Sequence, residues 1–143
     1  MTALADYVDG LVHEPRQVHD GVVDLTVEAV SQVVEPGRID FGGGELEAAE
    51  TAAVETEKRS PDDDYGWWNL PGGQYLLSYN ETLAPPEGTR LVVRTRSELR
   101  RRGAFHPTVH CRDIDAVPLS VPEGGVRIKE NARVSTVVGT AER

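Results

Sequence analysis

The sequence predicts an all-β protein, a small barrel or double-sheet roll, on three observations. From residue 67 onward, short runs rich in β-branched and aromatic residues recur at 74–79 (QYLLSY), 90–95 (RLVVRT), 104–110, 117–121, 126–128 and 133–138. Turn clusters separate them: Pro71-Gly72-Gly73, Pro85-Pro86-Glu87-Gly88 and Pro122-Glu123-Gly124-Gly125. Proline presets φ in such turns, and glycine accepts a backbone conformation that other residues avoid. No dinucleotide-binding glycine fingerprint, Walker loop or strand–helix alternation appears, which excludes an open α/β sheet.

The earlier elements follow in order. Leu4, Tyr7, Val8 and Leu11 stand at i, i+3, i+4 and i+7, which predicts a short amphipathic helix over residues 2–12. Residues 22–27 (VVDLTV) predict a strand, closed by the turn signal Pro36-Gly37. Residues 40–64 hold nine acids against Lys58 and Arg59, a local charge of −7. With Gly42-Gly43-Gly44 at one end and Ser60-Pro61-Asp62 near the other, residues 40–66 read as a solvated acidic insertion loop. Alanine and glutamate over 45–58 suggest a helical turn or two there.

At 143 residues the chain has the length of one domain, 1–143, with material for one core. No apolar run approaches the ~20 residues of a membrane-spanning helix. Acids at the N-terminus, where a secretion signal is basic, predict a cytoplasmic location. Cys111 is the only cysteine, so neither an intramolecular disulfide nor a multi-cysteine zinc site can form within the chain. A net charge of −9 argues against binding nucleic acid or an anionic membrane. Thirteen of the fifteen basic residues are arginine, and Lys58 and Lys129 are the only lysines. Excess acid with scarce lysine fits a halophilic protein, whose carboxylate surface holds water and cations.

The chemistry concentrates in three places. Arg94, Arg96, Arg100, Arg101 and Arg102 fall within nine residues of an acidic chain. Residues 97–103 (SELRRRG) read as a short helix with a hydroxyl at its start, an acid in its first turn and glycine as its stop. Arg96 and Ser97 would then offer a guanidinium fork and a hydroxyl to phosphate. A surface helix whose arginines pair with neighbouring acids fits the same residues. His106 and His110 would share one face of a strand and Cys111 the other, which suits half-buried histidines better than a zinc site. Asp24, inside an apolar run, must be paired, hydrated at a cleft or close to a cation. Trp67 and Trp68 suit either a core or a stacking surface.

Two stretches resemble the trimeric dUTPase / dCTP deaminase superfamily, most closely its compact archaeal members. Residues 21–39 (GVVDLTVEAVSQVVEPGRI) resemble its first motif and the strand that follows. Residues 68–138 contain NLPGGQYLLSYNETLAPPEGTRLVVRTRSEL, similar to the approach to the Arg-Ser-Ser-Leu motif, and IKENARVSTVV, similar to the final strand. The resemblance implies a dUTPase-like β-roll or distorted barrel of the β-clip type with one or two short helices. It also implies a homotrimer with active sites between subunits, and hydrolysis of a deoxynucleoside triphosphate, dUTP to dUMP and pyrophosphate, with Mg²⁺. On that pattern Asp24 holds Mg²⁺ through water, Arg96 and Ser97 grip phosphate, and the strand bearing His106 and His110 faces the nucleoside.

The sequence departs from the family pattern at several positions. Glu98 stands at the second serine of the motif, and Thr136 replaces a phosphate-contacting glutamine. HCRDIDAVPL lacks the third motif's glycine and tyrosine, leaving Asp113 or Asp115 as the expected water-activating carboxylate. Ser120 occupies the place of the deaminase glutamate, which disfavours deamination. These departures leave two readings: a dUTP pyrophosphohydrolase, or an eroded paralogue serving as a non-enzymatic nucleotide- or partner-binding trimer.

Overall fold

The computed structural model describes residues 3–142. The elements in order are β1 (Val8–Asp9), α1 (Glu14–Gln17), β2 (Val18–His19), β3 (Val22–Glu35), β4 (Glu50–Ala53), β5 (Trp67–Leu70), β6 (Gly73–Tyr79), β7 (Thr82–Leu83) and β8 (Thr89–Thr95). Then come α2 (Ser97–Arg100), β9 (Val109–Cys111), β10 (Ala116–Val121), β11 (Val126–Lys129) and β12 (Arg133–Glu142). The all-β roll with two short helices is therefore as expected.

One sheet runs β10-β6-β3-β12-β8-β9, with β2 and β4 also paired to β3. Two small ribbons, β1-β7 and β11-β5, complete the roll. Val23 through Val27 are buried without alternation, because both faces of β3 are covered there. Leu25, Leu77, Leu91, Val93, Leu119 and Val137, from five strands of the sheet, are fully enclosed and form the centre of the core. The predicted turns close as proline and glycine dictate: Thr89 N–H donates to the Pro86 carbonyl at 3.1 Å around Gly88, whose φ is +80°. Gly125 N–H likewise donates to the Pro122 carbonyl at 2.8 Å.

Three expectations need correction. The helix expected over 2–12 is only a 3-10 turn, Leu4–Tyr7, and Thr2 lies outside the described residues. Val8 is taken instead by pairing with Leu83. The acidic segment forms no helical turn, because β3 overhangs the body and pairs with β4 through Ser31↔Ala53, Gln32↔Ala52 and Val33↔Thr51. Available backbone partners override the local preference of alanine and glutamate. The strand expected over 104–110 is broken: Phe105 makes one bridge to Ser120, and β9 begins only at Val109. Pro107 donates no hydrogen bond and restricts His106, so the ladder cannot run through.

Candidate functional site

Asp24 sits on β3 opposite Thr136 of β12 and is 1% exposed. Its Oδ1 accepts the Thr136 hydroxyl at 2.8 Å. Its Oδ2 accepts His19 Nε2 at 2.8 Å and Arg133 Nη1 at 3.2 Å, while Arg96 Nε lies 3.7 Å away. One buried carboxylate is thus held by two guanidinium groups, an imidazole and a hydroxyl, the compensation that a charge removed from water requires. Thr136, which stands where the resemblance implies a glutamine, takes part in this cluster.

Arg133 does more than pair. Its Nη1 also donates to the Arg16 carbonyl at 2.9 Å, tying the start of β12 to α1. Arg96 ends the β8 segment, its N–H donating to the Val134 carbonyl at 3.0 Å. Ser97, half-buried, opens α2 immediately beside it.

These two arginines line a cavity of about 320 Å³ together with Trp67, Arg102, Arg127 and Lys129. Among the described residues, Glu98 supplies the only carboxylate in its wall, against five cations. Arg101 and Arg102 pair with Glu98 at 3.0 and 3.5 Å, and Arg101, hydrogen-bonded to it, holds its carboxyl below the usual range. The acid that replaces the motif's second serine is thereby neutralised within α2 and the residues just after it. Arg59 stacks over the Trp67 ring at 4.2 Å and Lys129 lies 5.7 Å from its centre, so Arg59 adds a cation beside the cavity's own. Trp68 instead belongs to the core, its indole N–H donating to the Val54 carbonyl. A second cavity of about 270 Å³, lined by His13, Arg16, Gln17 and Thr26, shares Ala132 and Arg133 with the first.

The other expected site residues lie elsewhere. His106 is buried, with Nδ1 2.7 Å from the Pro107 carbonyl and Nε2 2.7 Å from Ser135 Oγ. Burial pushes its pKa down, so the ring is neutral at pH 7. Nδ1–H then donates to Pro107, and Nε2 accepts the Ser135 hydroxyl, which accepts in turn from Tyr79. His110 is exposed on β9 and shares no face with His106. Asp113 and Asp115 are exposed on the loop between β9 and β10. The Leu91↔Cys111 pairing carries them toward the Thr89 end of β8, whereas Arg96 follows its other end. Seven strand residues at about 3.3 Å each separate these ends by ~20 Å. A single chain therefore brings Asp24, Arg96 and Ser97 together and leaves Asp113 and Asp115 apart. Cys111 is half-buried, and burial pushes its thiol pKa up, as suits a packing residue.

Sequence reasoning missed Arg133, Arg127, Lys129, His19 and Glu81. Glu81 is buried and accepts from Thr26 N–H at 2.8 Å, from the Thr26 hydroxyl, and from Gln17 Nε2 at 2.8 Å, locking α1 to β3. An acid following Asn80 in an otherwise apolar hairpin was the available signal. Arg133 reaches Asp24 across 109 residues, Arg127 and Lys129 are placed by the pairing of β11 with β5, and His19, only five residues from Asp24, reaches it because β2 folds back on β3.

Mg²⁺ does not fit Asp24 as it stands. Both carboxylate oxygens are already engaged, and the neighbours are cations rather than further ligands. Among the described residues no three His, Cys, Asp or Glu side chains converge as a metal site.

His19 responds to pH through the same cluster. Its hydrogen bond to Asp24, and then that to Asp20, raises its pKa above 6.5. The folded state therefore holds this proton more tightly than the unfolded chain. The resulting stabilisation is complete below the ordinary histidine pKa and is lost as pH rises through the raised value. The melting-temperature difference between wild type and His19→Gln should be largest near about pH 5.5 and close by about pH 9. A difference independent of pH would remove His19 from the charge cluster.

No protein-family model matches the chain. It is 34% identical over 102 residues to a probable deoxyuridine 5'-triphosphate nucleotidohydrolase of Halobacterium salinarum, a match covering 71% of this chain and 59% of that protein. The chain thus spans about three fifths of that relative's length. A protein of the same description from Methanosarcina acetivorans is 27% identical over 132 residues, covering 89% of this chain and 74% of its own. The crystal structure of 2'-deoxycytidine 5'-triphosphate deaminase from Agrobacterium tumefaciens superposes with a TM-score of 0.59 at 13% identity, covering 94% of this chain and 44% of that one. At that identity the likeness is one of fold.

Proposed function

We propose, for a chain that belongs to the dUTPase / dCTP deaminase superfamily, that the arginine-lined cavity binds the phosphates of a deoxynucleoside triphosphate and that the reaction is hydrolysis of dUTP to dUMP and pyrophosphate. The observation that carries this is the cavity's charge: five cations and one neutralised acid in a protein of net charge −9. Asp24 and Glu98 offset part of this charge, and an anion inside the cavity would offset the rest. Arg96 and Arg133 would donate to phosphate oxygens from fixed positions, because Asp24 orients both and prevents them from collapsing elsewhere. Ser97 adds a hydroxyl at the same edge.

In the chemical step, a water attacks the α-phosphorus, the bond to the bridging oxygen breaks and pyrophosphate leaves. A carboxylate takes the water's proton. Asp113 or Asp115 could serve only from a second copy, given their position within one chain, so this step requires an assembly, for which a homotrimer is the proposed form. Mg²⁺ belongs to this scheme as the counter-ion that arrives with the triphosphate; the protein's own positive charge comes from arginine. Deamination is disfavoured, since Ser120 offers no acid and hydrogen-bonds Gln74.

The position of Asp113 and Asp115 also favours a second reading, a non-catalytic nucleotide-binding paralogue. Pyrophosphate release from dUTP separates the two, with dCTP, dTTP and UTP as comparators, Mg²⁺ present, and salt varied from low to multimolar. Release selective for dUTP supports hydrolysis. Binding of a non-hydrolysable dUTP analogue without release supports the paralogue.

A further inference from the structure

Arg133 faces the phosphate cavity from a hold on one guanidinium nitrogen. Nη1 donates to the Arg16 carbonyl at 2.9 Å and to Asp24 Oδ2 at 3.2 Å. The two acceptors belong to different elements, Asp24 to β3 and Arg16 to α1. Asp24 is placed by the pairing of β3 with β12, whereas Arg16 lies in no strand. The four residues Glu14–Gln17 make a single turn, too short to keep its place through its own hydrogen bonds. The aim of Arg133 therefore depends on whatever fixes α1 against the sheet.

Gln17 is that group. Its side chain is enclosed, at 1% exposure, and both hydrogens of its amide nitrogen are used. Nε2 donates to the Asp24 carbonyl at 2.9 Å and to Glu81 Oε2 at 2.8 Å. Oε1 accepts the His13 N–H at 2.8 Å, closing the turn of α1. Glu81, equally enclosed, is fixed in turn by Thr26 N–H at 2.8 Å. The carbonyl that accepts from Arg133 belongs to the peptide bond joining Arg16 to Gln17 itself. One buried amide thus ties together the two residues that accept from the guanidinium. Gln17 borders the cavity of about 270 Å³ and, among the described residues, is not in the wall of the phosphate cavity.

We propose that Gln17 is a positioning residue for Arg133: by anchoring α1 to β3 and Glu81, it sets the Arg16 carbonyl where it aims the guanidinium into the cavity. The consequence for affinity rests on the phosphate reading given above. The aim of Arg133 is a property of the unliganded chain and is measured without a nucleotide.

Two measurements on Gln17→Met test this, at a salt concentration where circular dichroism shows the variant folded. Methionine keeps the length of the side chain and removes its hydrogen bonds. The first is nitrogen-15 relaxation at Arg133 Nε in the unliganded protein, its signal assigned by its loss in Arg133→Ala. The Arg133 order parameter should fall in Gln17→Met toward the flexible range, below about 0.6, while that of Arg94 stays as in wild type. The second is calorimetric binding of a non-hydrolysable dUTP analogue. Gln17→Met should weaken it roughly fivefold, the scale of one ordinary hydrogen bond, and should cause no further loss in the Arg133→Ala background. If Gln17→Met does not fold, Glu81→Gln, which keeps its size and removes the acceptor of the Gln17 amide, takes its place. An unchanged Arg133 order parameter overturns the proposal, and so does an equal loss of affinity with and without Arg133. A wild type that binds no analogue sinks the phosphate reading instead, and the relaxation result alone then decides whether Gln17 positions Arg133.

Discussion

Asp24→Asn is expected to destabilise the fold by about 3 kcal/mol, the scale for removing one partner of a buried ion pair. The amide keeps the size of the side chain and can still accept the Thr136 hydroxyl. It leaves His19, Arg96 and Arg133 facing one another without the charge that holds them. The urea midpoint should fall, and a hydrophobic contact elsewhere cannot compensate. If instead Asp24 chiefly served an external cation, Asp24→Asn would leave the unliganded midpoint unchanged or raise it.

Arg133→Ala and Arg96→Ala should each weaken binding of a non-hydrolysable dUTP analogue by roughly tenfold to a hundredfold, since a charge-assisted hydrogen bond contributes about 1.5–3 kcal/mol. Arg133 is the stronger test, because it borders both cavities and the sequence alone did not single it out. Its replacement also removes the bond to the Arg16 carbonyl, so binding is to be compared at a salt concentration where the variant remains fully folded. Arg94, exposed on β8, is the matched control: Arg94→Ala should bind as wild type does. Equal losses at Arg94 and Arg133 would mean that diffuse charge, rather than a built site, attracts the nucleotide.

The strands that were legible are those whose composition and turns agree. Residues 74–79, 90–95 and 117–121 each lie within a strand that begins one residue earlier, and proline or glycine marks one end of each: Pro71-Gly72 before the first, Gly88 before the second and Pro122 after the third. The acidic segment misled because alanine and glutamate prefer helix in isolation, whereas the overhang of β3 offered backbone partners that no local pattern announces. His106 and His110 misled because Pro107 outweighed the apparent strand. At the site, Arg96 and Ser97 were legible from the contrast between local arginine and global acid. Asp24 was legible as an anomaly, a charge in an apolar run, but its partners were not. His19 comes from β2, Thr136 and Arg133 from β12 and Arg96 from the end of β8, and the pairing Thr136↔Asp24 is set by register, which the sequence does not print.

Titrating the folded wild-type chain with a non-hydrolysable dUTP analogue by calorimetry, with pyrophosphate as competitor, tests the phosphate cavity most directly. The predicted result is one saturable site per chain, displaced by pyrophosphate and weakened at least tenfold by Arg133→Ala, as one lost charge-assisted bond requires. A folded chain that takes up no analogue, or an Arg133→Ala variant that binds as tightly as wild type, would contradict it.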